Sequence, residues 1–147
     1  MADRLATSFD DSAHSPGLAL WRVTLAWQAA MRAAVEPFEL THVQFVLLAS
    51  LSWLRADGPV TQRRLADHAG TDPMMTSQVV RALEAKGLVE RRDHPTDRRA
   101  RALVISARGV ELADAAVVAV ESADAAFFAP LPDGAAHFTA ELRRLMA

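Results

Sequence analysis

Apolar residues recur every three or four positions along most of the chain, which is the spacing of amphipathic helices. The pattern predicts helices in six segments: residues 18–35, 41–54, 61–70, 71–87, 106–128 and a last segment that begins at residue 133. Thr41 and Gln44 fit a capping box at the start of the second segment, and Asp133 can cap the last. Between Gly87 and Ser106 the pattern becomes extended instead, with candidate strands at residues 88–92 and 100–105 joined by a loop at 93–99. The predicted fold class is therefore mainly α with one small β-hairpin.

The fourth predicted helix has well-marked ends and two distinct sides. Asp72 is placed to cap its start, Pro73 suits the first helical position, and Gly87 provides a left-handed stop. Four residues share the side that is expected to be buried: Thr76, Val79, Val80 and Leu83. Four residues on the other side carry groups that contact base edges in a major groove: Met74, Ser77, Gln78 and Arg81. This segment is predicted to be a recognition helix.

The segments on either side of this helix complete a DNA-binding motif. Before it lies a short helix that Thr61 can cap and that Gly70 ends, so the pair has the form of a helix-turn-helix. After it comes the hairpin, which is rich in arginine: Arg91, Arg92, Arg98, Arg99 and Arg101. Such a cationic hairpin suits a wing that contacts phosphates or a minor groove. The sequence therefore predicts a winged helix-turn-helix.

The helices outside this motif lack enough core of their own. The first helix has two apolar faces on nearly opposite sides, one with Leu18, Trp21, Leu25 and Ala29, the other with Leu20, Val23, Trp27, Met31 and Ala34. A surface helix needs only one such stripe. We therefore expect a single domain over residues 1–147, with a DNA-binding lobe at 41–105. Residues 16–36 and 107–147 are expected to be dimerisation helices in an obligate dimer.

Composition narrows the function classes. None of the 147 residues is a cysteine, which excludes disulfides, thiolate catalysis and cysteine-ligated zinc. No apolar run approaches the roughly 20 residues that cross a bilayer, and the N-terminus lacks a secretory core. A cytoplasmic protein with no membrane partner is the simple interpretation.

The charge distribution favours a nucleic-acid partner although the net charge is −2. Residues 60–108 carry nine arginines and one lysine against six acids, a local balance of +4. The segments before and after it have balances of −2 and −4. A basic middle between acidic flanks is typical of a protein that touches DNA with one face. Judged by charge alone, the basic segment could also be an ordinary solvated surface. The order of the predicted helices and strands favours the DNA-binding interpretation instead.

The sequence gives little support for a metal site or a catalytic site. Five histidines lie on five different segments without an i, i+4 pair, so no metal site is expected: His14, His42, His68, His94 and His137. The chain has no glycine-rich phosphate loop and no nucleophile elbow. We expect no catalytic residues, no cofactor and no enzymatic activity.

Several stretches, in this order and spacing, resemble the MarR family of winged-helix transcriptional regulators. They are residues 40–45 at the start of the second helix, Leu65-Ala66 in the third, residues 84–91 before the hairpin, and residues 97–106 with Gly109 after it. The resemblance extends from about residue 18 to residue 146. The chain has Ile105-Ser106 where the family pattern has leucine and threonine, and Ser106 can still cap the following helix.

The resemblance implies a homodimer, built from the first and last two helices, that binds a pseudo-palindromic operator, most simply as a repressor. It places the helix at residues 71–86 in the major groove and Arg99 in the minor groove, held by an ion pair with Asp97. With the residue pattern, it gives these candidate DNA contacts: Thr61, Met74, Ser77, Gln78, Arg81, Arg91, Arg98 and Arg99.

The resemblance also implies a small-molecule effector, since many members release DNA when a phenolic or anionic compound binds. Large apolar side chains and one histidine in the first two helices form a candidate pocket wall: Trp21, Trp27, His42, Phe45 and Trp53. The alternative for each of these residues is plain core or dimer packing. The alternative function is a protein-interaction module, or a constitutive DNA-binding module without ligand response.

Overall fold

Six helices and one hairpin make up residues 5–147, the part of the chain that this computed structural model describes. In chain order they are α1 (Pro16–Val35), α2 (His42–Leu54), α3 (Gln62–Ala69), α4 (Pro73–Ala85), β1 (Val89–Asp93), β2 (Arg101–Ile105), α5 (Ala107–Phe128) and α6 (Gly134–Leu145). Short 3-10 turns precede α1 and follow α1 and α2. The predicted fold class is confirmed. The first four residues, which entered the prediction about secretion, lie outside the described part.

Side-chain caps begin most of the helices where the sequence predicts them. Thr41 and Gln44 form the expected capping box, each side chain accepting a hydrogen bond from the other residue's backbone N–H at 3.2 Å. Helix α1 begins two residues before the predicted start because the Ser15 hydroxyl accepts from the Leu18 N–H at 3.3 Å. The prediction for α6 is wrong in one detail, since Asp133 holds the N-cap position without a side-chain capping bond.

One residue outside the two-stranded hairpin pairs with it, which the sequence pattern did not predict. Strands β1 and β2 pair antiparallel from Val89 opposite Ile105 to Asp93 opposite Arg101, one residue later than predicted at their starts. Val60, in the linker after α2, forms a β-bridge with Leu103, whose N–H donates to the Val60 carbonyl at 2.7 Å. The middle of β2 is therefore fixed to the segment that leads into α3.

Helix α2 is at the centre of the core and packs against α3, α4 and α5, while α1 packs along α5. The core side chains are almost all aliphatic, and Met31, Leu47, Leu48, Val80 and Ala116 are fully enclosed. The turn of the helix-turn-helix is closed by polar contacts: the buried Thr76 hydroxyl is 2.7 Å from that of Thr71 and donates to the Asp72 carbonyl at 2.8 Å. These contacts fix the turn to the start of α4.

One apolar surface remains uncovered in the single chain. The N-terminal half of α1 exposes Leu18, Leu20, Trp21, Val23 and Leu25. Val118 of α5 is exposed too, and α6 has no buried residue. These helices thus lack a complete core, as the sequence analysis expected. None of the helices within residues 5–147 has both the length and the apolar character needed to cross a membrane.

Candidate nucleic-acid interface

Helix α4 presents one continuous polar side to solvent. Its start is capped by Asp72, which accepts from the Met75 N–H at 2.8 Å. The four residues predicted to be buried are all buried. Of the predicted base-contact residues, Met74 is 72% exposed, Gln78 and Arg81 are exposed, and Ser77 is half-buried. The helix therefore has the two-sided form of a recognition helix, with its core side anchored on α2.

The start of α3 is the N-terminal end of the helix-turn-helix formed by α3 and α4. Thr61, half-buried, caps this helix by accepting from the Arg64 N–H at 3.2 Å. The Arg64 guanidinium is turned back onto the linker, where it donates to the Pro59 carbonyl at 3.2 Å. Arg63 in the same turn is exposed. Sequence reasoning did not select Arg63, although a cation in the first turn of α3 is well placed for a phosphate.

The wing arginines divide into paired and unpaired groups. Arg91 pairs with Glu84 of α4 at 3.0 Å, Arg92 with Glu90 at 3.0 Å, and Arg101 with Asp93 at 3.1 Å. Within the described residues, Arg98 and Arg99 make no ion pair, and both are exposed at the end of the wing. These two guanidinium groups are the ones most available to a phosphate or a minor groove.

The structure differs from the family pattern at Asp97. The resemblance implies an ion pair between the Asp97 carboxylate and the Arg99 guanidinium, and no such pair is formed in the described residues. Instead, the Asp97 carboxylate accepts a hydrogen bond from the Arg99 backbone N–H at 2.9 Å. Asp97 therefore orders the backbone of the loop and leaves the Arg99 side chain free.

A second group of residues lies where α1, α2 and α5 meet. The rings of Trp27 and His42 are edge to face with centroids 5.2 Å apart. The Trp27 indole N–H donates to the Asp124 carboxylate at 2.8 Å. Burial lowers the pKa of His42 below its usual 6.5; the Asp124 carboxylate opposes this shift and the Arg32 guanidinium adds to it. His42 is thus mostly neutral at pH 7 and able both to donate and to accept.

The other predicted pocket residues do not join this group within one chain. Phe45 is buried in the core, and Trp21 is 63% exposed on the uncovered face of α1. Trp53 is 76% exposed near the far end of α2, about 16 Å along the helix from His42, and stands edge to face with His68 of α3. The structure brings together only Trp27 and His42 of the five.

Two residues of the α1–α2–α5 junction were missed by sequence reasoning. Asp124 continues the spacing of the buried positions Ala113, Ala116 and Val120, so an acid in an apolar line was the available signal. Arg32 had no such signal. With Thr41 it lines a cleft of about 500 Å³ between the end of α1 and the start of α2. The ligand role of this junction stays a prediction.

Lys86 connects the recognition helix to this junction. It holds the C-cap position of α4, and its ammonium donates to the Glu39 carbonyl and, at 3.0 Å, to the Gln44 side-chain oxygen. Gln44 is the capping-box partner of Thr41, which directly precedes His42. These contacts join the start of α2 to the end of α4.

Comparison with known proteins agrees with this geometry. Residues 40–100 match the sequence model described as the MarR family. The chain is 47% identical over 116 residues to the HTH-type transcriptional regulator YdcH of Bacillus subtilis, covering 78% of this chain and 79% of that protein. The chain belongs to the MarR family. It is accordingly a transcriptional regulator with a winged helix-turn-helix DNA-binding fold.

Two further members have solved structures. The HTH-type transcriptional repressor Rv2887 of Mycobacterium tuberculosis is 35% identical over 115 residues, covering 78% of this chain and 81% of that protein. Its complex with DNA superposes with a TM-score of 0.68 over 90% of this chain and 98% of the other. CouR of Rhodococcus jostii RHA1, bound to p-coumaroyl-CoA, is 28% identical with a TM-score of 0.79, over 94% and 93%.

Base readout by α4 gives one testable expectation. Gln78 is exposed on its polar side, where a glutamine amide can pair with adenine in the major groove. Gln78→Ala should weaken binding to a selected operator by about 1–3 kcal/mol and binding to random duplex much less. Fluorescence anisotropy on both duplexes measures this. Equal losses would reduce Gln78 to a phosphate contact.

Proposed function

We propose that the protein is a homodimeric repressor of the MarR family that binds a pseudo-palindromic operator and is released by a small aromatic carboxylate or phenol. The observation that carries the DNA-binding part is the exposed polar side of α4 together with the unpaired Arg98 and Arg99 of the wing. A repressor that acts on operator DNA is expected to work in the cytoplasm. No catalytic role is assigned to any side chain.

The dimer follows from the uncovered apolar surface. Five large apolar side chains on the first half of α1 and an α6 without buried residues need a partner, and a second copy supplies the same helices in reverse. The two recognition helices of such a dimer would bind half-sites about 10 base pairs apart, centre to centre. The dimerisation helices are those of residues 16–36 and 107–147, around the lobe at 41–105.

The effector part rests on the junction of α1, α2 and α5. There the edge-to-face pair of Trp27 and His42 offers an aromatic contact and an imidazole. Arg32 offers a cation at the adjacent cleft, which Glu36 and Glu39 also line. A planar aromatic ring with one acidic group matches this combination. Two members of the family support the class of compound, since Rv2887 was crystallised with p-aminosalicylic acid and CouR with p-coumaroyl-CoA.

The sign of a pH effect follows from the lowered pKa of His42. A carboxylate bound beside the imidazole favours its protonated form, so the pKa of His42 rises when the ligand binds. Ligand binding then takes up a proton, and the affinity increases as pH falls through the interval between the bound and the free pKa. The lower end of this interval is the free pKa, which burial puts below the ordinary histidine value.

The dimer has a DNA-binding form and a form in which the two recognition helices are wrongly spaced for the operator. A ligand releases DNA only if it binds the second form more tightly than the first. The contacts of Lys86 provide the mechanical connection, because they join the end of α4 to the capping box that begins α2. Ligand entry beside His42 would shift the start of α2 and, through Lys86, the orientation of α4.

The test is a reciprocal titration. Salicylate and p-coumarate are titrated against free protein and against protein bound to a duplex selected from a random pool, with tryptophan fluorescence and anisotropy as signals. We expect ligand binding to the free protein to be about tenfold tighter than to the complex, and DNA affinity to fall by the same factor. Trp27→Phe should remove the quenching, whereas Trp53→Phe, at the exposed end of α2, should leave it.

Three outcomes would contradict parts of the proposal. Equal ligand affinity for free and DNA-bound protein, or no ligand binding, leaves a constitutive DNA-binding protein. Absence of any salt-sensitive duplex binding would favour a protein-interaction module instead. A stable monomer in sedimentation at micromolar concentration would contradict the dimer.

A further inference from the structure

The end of the wing, residues 94–100 or the wing tip, is held by one imidazole nitrogen. His94 follows β1 directly and is half-buried. Its Nδ1 accepts hydrogen bonds from the backbone N–H groups of Asp97 at 3.0 Å and of Thr96 at 3.2 Å. The Thr96 hydroxyl is 3.4 Å from the same nitrogen. A single ring atom thus fixes the two peptide groups at the turn of the tip.

From these peptide groups the contacts continue toward the free arginines. The Asp97 carboxylate accepts from the Arg99 N–H at 2.9 Å, and the Asp97 carbonyl accepts from the Ala100 N–H at 3.2 Å. The His94 N–H donates to the Ala100 carbonyl at 3.4 Å and closes the loop. The backbone of Arg98 and Arg99 is therefore oriented by contacts that begin at His94.

The donors in these bonds determine the state of the ring. Backbone N–H groups can only donate, so Nδ1 must offer a lone pair and the proton of the neutral imidazole must be on Nε2. A protonated ring carries a hydrogen on Nδ1 and would place three donors against one another. Both bonds to the turn would then be lost, and the backbone N–H groups would turn to water.

We propose that His94 is a positioning residue for DNA binding: its neutral imidazole holds the wing tip in the shape that directs Arg98 and Arg99 toward the DNA, and protonation releases that shape. The proposal rests on the wing being a DNA contact. Acidification should therefore lower operator affinity through protonation of His94, although His94 need not touch DNA itself.

Charged groups on several elements lie at or beside the wing tip. Asp93 and Arg101 form an ion pair at 3.1 Å at the base of the tip, and Asp97 lies within the tip. Arg92 of β1 and Arg55, in the 3-10 turn after α2, line the cleft beneath the hairpin. An imidazolium here would also add one positive charge near the DNA, which by itself strengthens binding. The two effects have opposite signs, so the direction of the pH dependence distinguishes them.

Two substitutions separate the effects. Asparagine in place of histidine keeps an acceptor that can bond the backbone N–H groups two and three residues later, and its amide does not titrate. His94→Ala removes the acceptor at every pH. The other histidines are common to all three proteins, so the ratio of affinities between wild type and His94→Asn reports His94 alone.

The experiment measures the Kd of the full-length dimer for its selected operator between pH 5.5 and 8 at fixed ionic strength. We expect His94→Asn to match wild type at pH 8, and wild type to weaken about tenfold relative to His94→Asn at pH 5.5. His94→Ala should be weakened about tenfold already at pH 8. ¹⁵N chemical shifts of the wild-type ring should show the Nε2–H tautomer at pH 8.

Identical pH profiles for wild type and His94→Asn, or a relative gain of affinity by wild type at low pH, would overturn the proposal. Arg99→Ala distinguishes this failure from that of the DNA contact. If Arg99→Ala weakens binding and His94 has no effect, the wing contacts DNA without help from His94. If neither substitution changes binding, the wing is not a DNA contact at all.

Discussion

Gly109→Ala should lower the free energy of unfolding by about 3 kcal/mol, the upper end of the cost of overpacking a core. A Cβ at Gly109 would lie 2.4 Å from the Leu88 carbonyl oxygen and 2.8 Å from the Ile105 Cγ1. That carbonyl cannot move freely, because it accepts from the Ser106 N–H at 2.9 Å at the start of α5. The added methyl group must therefore push α5 away from the wing.

Gly17→Ala is the matched control for this change. A Cβ at Gly17 would have no neighbour within 4 Å, and the residue lies in the first turn of α1. The same added methyl group should be neutral there or stabilise by up to about 1 kcal/mol. Urea denaturation of both variants at one protein concentration gives the comparison. An unchanged midpoint for Gly109→Ala would show that α5 does not approach the wing this closely.

Arg99→Ala should weaken binding to the operator and to unrelated duplex alike, with the fold intact. Each dimer loses two phosphate or minor-groove contacts, one per wing, so the slope of log K against log salt should fall by about two. Arg99→Ala should reduce the binding free energy of one dimer for one operator by about 1–3 kcal/mol. Anisotropy titrations at four or more salt concentrations provide both quantities.

Arg92→Ala removes the same charge from the same hairpin and serves as the control. The Arg92 guanidinium already pairs with Glu90 at 3.0 Å, so its loss should change the slope much less. Equal effects of the two substitutions would mean that only the overall charge of the wing matters. An Arg99→Ala protein with unchanged affinity and slope would contradict the minor-groove assignment.

Local signals explain why so much of the fold could be predicted from the sequence. The capping box of Thr41 and Gln44, the Asp72 cap and the left-handed Gly87 act within one turn of chain, and each is where the sequence puts it. The bridge between Val60 and Leu103 joins residues 43 positions apart. No local pattern marks such a pairing, so the bridge was not predicted.

In the candidate sites too, local features could be predicted and contacts between distant parts of the chain could not. Periodicity separated the buried and exposed sides of α4 correctly, because both sides belong to one helix. The ligand hypothesis depended on which helices face one another. It grouped Trp53 with Trp27, although Trp27 of α1 lies beside His42 and Trp53 lies near the far end of α2, beside His68. Asp124 was overlooked because its partner Trp27 is 97 residues away in the chain.

The bridge at Val60 separates two properties of this protein that could evolve independently. Leu103 in the middle of β2 is joined to the linker before α3. An insertion or deletion within residues 94–100 therefore alters how far the hairpin extends, while Thr61 and the recognition helix keep their places. Single substitutions on α4 can therefore change which base sequence the protein prefers. Changes in the length of the wing loop can change its overall affinity for DNA, and neither kind of change disturbs the other.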